Sequence, residues 1–206
     1  MSAHPDSAEA LIDRIRRKAP EYVDLLTARS DQDFEAAFDA ILQRAVQNLE
    51  TNADNYETLD EVGLSAVLAA GLSIPGLTVT PEAHSNGHVD LTIDADHCVP
   101  IRRKLGEAKI YNGYAYHVTG LTQLLGRYTT GRELGGLLIV YVKKRGIEGI
   151  VRDLRKEMDT QQPCKQSGPT RDHPVKWRFE STHTLASGIA HHVSHVGCNL
   201  CTSRTP

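Results

Sequence analysis

The chain has 206 residues, a length that suits one domain with a sizeable core. Its 40% hydrophobic and 24% charged residues are ordinary for a globular protein, and no apolar run reaches the roughly 18 residues of a membrane helix, so no membrane partner is expected. The net charge of −3 argues against a protein that coats nucleic acid indiscriminately.

The N-terminus and the cysteines indicate an intracellular protein. Residues 1–6 lack the basic and then apolar pattern of a signal peptide. The four cysteines show no spacing typical of a disulfide framework. A cytoplasmic protein with reduced thiols is therefore expected.

Helical periodicity dominates the first third of the chain. Apolar residues at helical spacing precede Pro20, which ends that pattern. A strong apolar stripe from Phe34 to Leu49 predicts an amphipathic helix with Asp31 as its N-cap. A further helix follows Thr58 or Asp60 and ends near Gly71. These patterns predict one compact domain, in which a helical segment, 1–55, packs on a core formed by 56–206.

The period then changes to two, which is typical of strands. Three strands are predicted at 77–82, 87–93 and 105–111, with a hairpin turn at 85–87 between the first two. The elements predicted after them are a helix at 116–128, a strand at 137–142, a charged helix at 147–158, a loop at 161–174 and final strands at 175–181 and 189–196. The order of helix, three strands, helix and strand predicts an α/β fold.

Three charged residues lie in the second and third predicted strands. Because residues i and i+2 of a strand point to the same face, Glu107 and Lys109 project together, and Asp90 joins them if the two strands are neighbours. Two carboxylates supply the hard oxygen ligands that Mg²⁺ and Mn²⁺ prefer, and a lysine beside them can position or deprotonate a water. The pattern predicts a site for cutting a phosphodiester.

At these residues the chain resembles the PD-(D/E)xK nuclease superfamily. The matching pieces are Asp90, the triplet Glu107-Ala108-Lys109, Glu61 on the upstream helix and Gln123 on the helix that follows. Val89 stands where the family commonly has proline. The resemblance covers the span from Glu61 to Val142. It implies a restriction-endonuclease-like αβββαβ core, with a central mixed sheet flanked by helices and an N-terminal helical extension.

The resemblance also implies an activity. Its metal ligands are Glu61, Asp90, Glu107 and the carbonyl of Ala108, with Mg²⁺ as the cofactor and Mn²⁺ as a substitute. Its catalytic residues are Asp90, Glu107, Lys109 and Gln123. The expected function is a metal-dependent endonuclease, with DNA favoured over RNA as its substrate. Family habit also implies a homodimer or a subunit of a prokaryotic antiviral defence complex.

Two alternatives remain open from the sequence. The first is a nucleic-acid-binding protein that kept the fold and lost catalysis. The second is an interaction module stabilised by zinc, because soft ligands cluster near the C-terminus at His191, His192, His195, Cys198 and Cys201. Against zinc, the alternation around Ile189, Val193 and Val196 predicts a strand whose histidines point to solvent.

Individual charges also have structural interpretations. Glu107 and Lys109 alone can form a surface ion pair, and Glu61 can complement the dipole of its helix. Two basic clusters, Arg102 to Lys104 and Lys143 to Lys156, are either solvated faces or contacts for phosphate.

Overall fold

The computed structural model of the chain describes residues 7–81 and 89–202. The hairpin turn predicted at 85–87 lies outside the described residues, as does the start of the strand predicted at 87–93.

Six α-helices and seven strands make up the described part of the chain. The helices are α1 (Ala8–Lys18), α2 (Pro20–Thr27), α3 (Asp31–Thr51), α4 (Glu61–Leu72), α5 (Tyr114–Gln123) and α6 (Ile147–Gln161). The strands are β1 (Thr78–Pro81), β2 (Leu91–Ala95), β3 (Arg102–Ile110), β4 (Gly135–Val142), β5 (Arg171–Asp172), β6 (Arg178–Thr184) and β7 (Ala190–Asn199). A 3-10 turn (Ala53–Tyr56) follows α3, and a π-helical turn (Leu124–Tyr128) continues α5.

All seven strands form one mixed sheet in the order β1-β2-β3-β4-β7-β6-β5. β4 is parallel to both of its neighbours, β3 and β7, and the other pairs are antiparallel. β7, the last of the described strands, is thereby inserted between β4 and β6. The predicted α/β class, with a mixed sheet flanked by helices, is confirmed.

Helices cover both faces of the sheet, which explains why β4 is apolar along its whole length. All eight residues of β4 are buried. Its alternate side chains Leu137, Ile139 and Tyr141 belong to a core shared with α3 and α4. Leu138 and Val140 belong to a second core, shared with α5 and α6. A central strand covered on both faces reads as a continuous hydrophobic run.

Helix starts differ from the prediction in two places. Pro20 does more than end the first helical pattern, because it begins α2, where the missing N–H of proline costs no helical hydrogen bond. Ser30, and not Asp31, is the N-cap of α3. The Ser30 Oγ accepts from the Asp33 N–H at 3.1 Å, and the Ser30 N–H donates back to Asp33 at 3.1 Å, which forms a capping box. Asp60 caps α4, as predicted, by accepting from the Gly63 N–H at 2.9 Å.

Across the described ranges, no helix is long and apolar enough to cross a membrane.

Candidate active site

Strand pairing brings Asp90 and Glu107 together. β2 and β3 are antiparallel with Leu91 opposite Gly106, so Asp90, one residue before β2, lies opposite Glu107. Within β3, Glu107 and Lys109 alternate with Ala108, whose side chain enters the core under α3 and α4. Glu107 and Lys109 therefore project together from the α5 face, as the two-residue period predicted.

Lys109 joins two carboxylates. Its Nζ lies 2.7 Å from Glu107 Oε1 and 3.1 Å from Glu61 Oε1. The second oxygen of Glu61 accepts the Ile110 N–H at 2.9 Å, which fixes the start of α4 against the end of β3. Glu61 is thus brought from a separate helix to the same ammonium group.

Asp90 is anchored by the backbone of the neighbouring strand. Its Oδ2 accepts the N–H of Ala108 at 2.8 Å. This contact uses the amide of Ala108, so the role predicted for the Ala108 carbonyl stays a prediction. The hydrogen bond holds the Asp90 carboxylate near Glu107, which has the same charge, and near Lys109, which has the opposite one.

Burial makes the site electrostatically unusual. The side chain of Glu107 is only 3% exposed, and among the described residues its Oε2 has no hydrogen-bond donor. Burial raises the pKa of Glu107 to about 7, although the hydrogen bond from Lys109 opposes the shift. Burial also raises the pKa of Asp90, against the opposing effects of the Ala108 N–H and Lys109. A buried carboxylate oxygen without a donor is well suited to accept a cation.

Lys109 remains positively charged in this surrounding. Burial by itself would lower the pKa of Lys109, but its hydrogen bond and charge interactions with Glu107 and Glu61 raise that pKa above the ordinary value. An ammonium that holds its proton this firmly is a fixed positive charge. A lysine with a raised pKa is a poor base, which is unfavourable for the proton abstraction from water that the sequence left open.

Gln123 occupies the last residue of α5, on the helix where it was predicted. Its Oε1 is buried and has no hydrogen-bond donor among the described residues. The structure gives it no hydrogen bond to Asp90, Glu107 or Lys109, so its catalytic role stays a prediction.

The acidic cluster is not a complete metal cage. Within 7–81 and 89–202, no group of three or more His, Cys, Asp or Glu side chains is arranged to hold a metal ion. Lys109 contacts both Glu61 and Glu107. The donor set nonetheless fits Mg²⁺, which commonly takes one or two carboxylates and keeps several waters. The unpaired Oε2 of Glu107 is the oxygen most available to it.

Both basic clusters are engaged in structural contacts. In the first, Arg102 pairs with Asp31, Arg103 with Asp94, and Lys104 with Glu35. In the second, Lys143 donates to the carbonyls of Glu57 and Leu59, at 2.9 and 2.5 Å. Lys143 thereby ties β4 to the segment that leads into α4 and Glu61. Sequence reasoning missed this positioning role, because the contact spans 84 to 86 residues.

A buried hydrogen-bond chain beside the site was also missed. His117 on α5 contacts His195 on β7 at 3.0 Å, His195 contacts Ser181 at 2.7 Å, and Ser181 contacts His183 at 2.7 Å. The chain ends where His183 Nδ1 meets the carbonyl oxygen of Cys164 at 3.2 Å.

When the three histidines are neutral, the carbonyl oxygen of Cys164 determines where each proton lies in this series of hydrogen bonds. Because a carbonyl only accepts, His183 carries its proton on Nδ1, and its Nε2 accepts from Ser181. Ser181 in turn accepts from His195 Nε2, and His195 Nδ1 accepts from His117 Nε2. His117 Nδ1 is left as a buried acceptor without a donor. These hydrogen bonds connect α5 to β7 and, through Ser181 and His183, to β6.

The prediction that the β7 histidines point to solvent is therefore wrong for two of them. His191 and His195 are buried, while His192 is exposed. Odd-numbered residues of this part of β7 face α5, and even-numbered ones face α3. His195 and Cys198 thus lie on opposite faces of the sheet. This separation is unfavourable for the zinc cluster that the sequence left open.

Close packing of α5 over Lys109 gives a first prediction. A Cβ added at Gly120 would lie 2.9 Å from Lys109 Cγ and 3.0 Å from Leu138 Cδ1. We expect Gly120→Ala to displace Lys109 and to lower the free energy of unfolding by about 1–3 kcal/mol, the usual cost of overpacking. Gly126→Ala is the matched control, because a Cβ there meets nothing within 4 Å. Chemical denaturation measures both variants, and equal stabilities would contradict the packing described here.

Comparison with known proteins adds no relatives. No protein-family model, curated protein or solved structure matches this chain.

Proposed function

We propose that this protein is a metal-dependent endonuclease that hydrolyses phosphodiester bonds, with DNA favoured over RNA. The observation that carries the proposal is the convergence of Asp90, Glu107, Lys109 and Glu61 from two strands and a helix. A structural ion pair needs only two charges. It gives no reason to place a third and a fourth charge beside it, or to leave a carboxylate oxygen of Glu107 buried and unpaired.

The order of elements around the site supports the same proposal. α4 supplies Glu61, β2 and β3 supply the paired strands, and α5 follows with Gln123 before β4 joins the sheet. With β1 before them, these elements run in the order αβββαβ. We therefore propose the restriction-endonuclease-like core as the finer description of the α/β fold.

Asp90 and Glu107 would hold Mg²⁺ or Mn²⁺, with Glu61 and the Ala108 carbonyl as further ligands. When bound, the ion would supply Lewis-acid stabilisation of the phosphate and acidify water for the attack. Lys109 would add a fixed positive charge to stabilise the negative charge that develops on the phosphate oxygens. The contacts of Glu107 and Glu61 with Lys109 orient this charge.

The direct test is metal-dependent cleavage. Purified protein is incubated with supercoiled plasmid, linear DNA and RNA, with Mg²⁺, with Mn²⁺ and with excess EDTA. We expect cleavage with either metal at millimolar concentration and none in EDTA, because an open site of oxygen ligands binds Mg²⁺ weakly. Robust cleavage in EDTA would overturn the proposal. Metal-dependent binding without cleavage would instead identify the inactive nucleic-acid-binding alternative.

A further inference from the structure

The only tryptophan of the sequence lies in a strained turn at the start of β6. Trp177 has a φ of +59°, a left-handed conformation that is an outlier for a bulky side chain. The N–H of Gly197 on β7 donates to the Trp177 carbonyl at 2.8 Å and holds this turn in place. A Cβ at position 197 would lie 2.9 Å from the same carbonyl oxygen, so the turn also favours glycine there. Backbone strain of this kind is concentrated at functional sites.

Trp177 lines a groove between this turn and α6. The groove has a volume of about 620 Å³, which lies in the range of ligand-binding pockets. The Trp177 side chain is only partly buried against the core, and its indole N–H has no acceptor among the described residues. A tryptophan that is buried in a core usually finds such a partner. Trp177 therefore has both ring surface and an N–H donor left for a ligand.

Positive charge predominates along the groove, although the whole chain has a net charge of −3. Five basic and three acidic side chains line it, namely Arg152, Arg155, Lys156, Lys176 and Arg178 against Glu148, Asp159 and Asp172. Arg178 and His173, which also lines the groove, both contact Asp39 outside it. The other side chains decide what the groove can bind.

Two of the three acidic side chains already have partners. Asp172 pairs with Arg155. Asp159 accepts the N–H and the hydroxyl of Thr170, at 2.6 and 3.2 Å. Glu148, in the first turn of α6, is the one acidic side chain of the groove without a partner in the described part of the chain.

Two lysines of the groove, in contrast, are exposed and have no ion-pair partner within 7–81 and 89–202. They are Lys156, at the end of the second basic cluster, and Lys176, which directly precedes Trp177. Arg152 pairs only with its exposed neighbour Asp153, a contact of little energetic weight. Free ammonium groups beside an accessible indole favour a ligand that carries both phosphate and an aromatic base.

We propose that this groove binds a single-stranded segment of nucleic acid, with one base stacked on Trp177 and the adjoining phosphates near Lys156 and Lys176. Proteins hold single strands in this way, by aromatic stacking combined with basic contacts to the backbone. A duplex is a poor ligand for such a groove, because each of its bases is stacked between neighbours and must be extruded before a side chain can cover its face.

The groove lies on the same side of the sheet as the candidate active site. Lys109 pairs with Val140, and Val140 pairs with Gly197, whose N–H holds Trp177. A Cβ at Gly197 would meet Val151 of α6 at 3.2 Å, so this row faces the core that α5 and α6 share. Three strand spacings of about 4.8 Å place Trp177 about 14 Å from Lys109, a distance that about four nucleotides of one strand span.

Only one part of this inference rests on the proposed nuclease function, namely that the bound strand is the substrate for cleavage. Binding itself is measured in EDTA, where no metal-dependent cleavage occurs. Cleavage of nucleic acid without binding in the groove would overturn this inference and leave the nuclease proposal standing. Binding in the groove without cleavage would do the reverse.

The fluorescence of Trp177 tests the binding directly. The full chain in EDTA and low salt is titrated with a short oligothymidylate, an RNA strand of the same length, a blunt DNA duplex and poly-glutamate. We expect one or both single strands to quench the emission at micromolar concentration, and the duplex and poly-glutamate to bind at least tenfold more weakly. No quenching by either single strand would overturn the proposal. Equal quenching by the duplex or by poly-glutamate would overturn it as well.

Substitutions separate the stacking from the charge, with binding of a fluorescein-labelled strand followed by anisotropy. Trp177→Leu should weaken binding about tenfold or more, and Trp177→Tyr, which restores an aromatic face, should recover most of the loss. The double variant Lys156→Gln/Lys176→Gln should lower the slope of log K against log salt by about 1.4, because each phosphate contact of a single strand contributes about 0.7.

The matched control for the lysines is the double variant Lys18→Gln/Lys165→Gln. Both residues are exposed and lie outside the groove, so this variant should keep the salt slope of the wild type. Circular dichroism confirms that each variant is folded. An equal change of slope in the two double variants, or wild-type affinity in Trp177→Leu, would overturn the assignment of the groove.

Discussion

Replacing Lys109 with methionine is expected to abolish metal-dependent cleavage while the protein stays folded. Methionine keeps the unbranched apolar part of the side chain but removes the ammonium that contacts Glu107 and Glu61. Loss of a charge aimed at the developing transition state commonly lowers kcat by about 10²–10³. Asp90→Asn and Glu107→Gln should lose activity to a similar extent. Each substitution keeps the shape of the side chain but removes the negative charge of the proposed oxygen ligand.

Lys104→Met provides the matched control for this experiment. Lys104 lies on the same strand and is also buried, and its Nζ lies 2.6 Å from Glu35. It points to the opposite face of the sheet, however, towards α3 rather than α5. Both lysine variants should lose stability in thermal unfolding, but only Lys109→Met should lose cleavage. Wild-type cleavage by Lys109→Met, or equal loss in both variants, would remove Lys109 from the proposed mechanism.

Acidification from pH 7 to pH 5 is expected to destabilise the protein through its buried histidines. Burial lowers the pKa of His117 and of His191 to about 4. In the unfolded chain these residues have a pKa of about 6.5. The unfolded state therefore binds more protons between pH 6.5 and pH 4, so the stability of the native state falls as the pH falls through this window. Each histidine should cost about 2 kcal/mol between pH 7 and pH 5.

Chemical denaturation at pH 7 and pH 5 measures this effect in the wild type and in His117→Gln and His191→Gln. Glutamine at 117 keeps an N–H that can donate to His195, but it does not titrate. Each variant should lose about 2 kcal/mol less than the wild type on acidification. Asp90 and Glu107 titrate in the opposite sense, because their pKa values are raised, but all three proteins retain them. An unchanged pH dependence in both variants would show that these histidines do not titrate as buried groups.

Local periodicity was sufficient to predict the parts of the fold that depend on local residues. The stripe from Phe34 to Leu49 predicted α3, because its apolar positions repeat with the helical period and all face one core. Alternation in β3 predicted that Glu107 and Lys109 share a face. Both predictions follow from the geometry of a single element.

Local periodicity could not predict contacts between residues that are far apart in the sequence. The burial of His195 depends on α5, whose His117 lies 78 residues away in the sequence. The carbonyl contacts of Lys143 depend on a loop that precedes α4. Neither partner leaves a periodic signal in the sequence. The short helix α2 was missed for another reason, because its eight residues contain too few turns to establish a period.

The position of β7 in the sheet has a consequence for how the chain folds. Gly136 of β4 pairs with Val193 of β7, so one edge of β4 stays unpaired until β7, the last of the described strands, has been made. Parallel pairing between segments this distant is slow, and an uncovered apolar edge readily pairs with other chains. During synthesis, β4 would leave the ribosome long before its second neighbour. We therefore expect chains that stop short of β7 to aggregate, and a chaperone that shields β4 to raise the yield of the native protein.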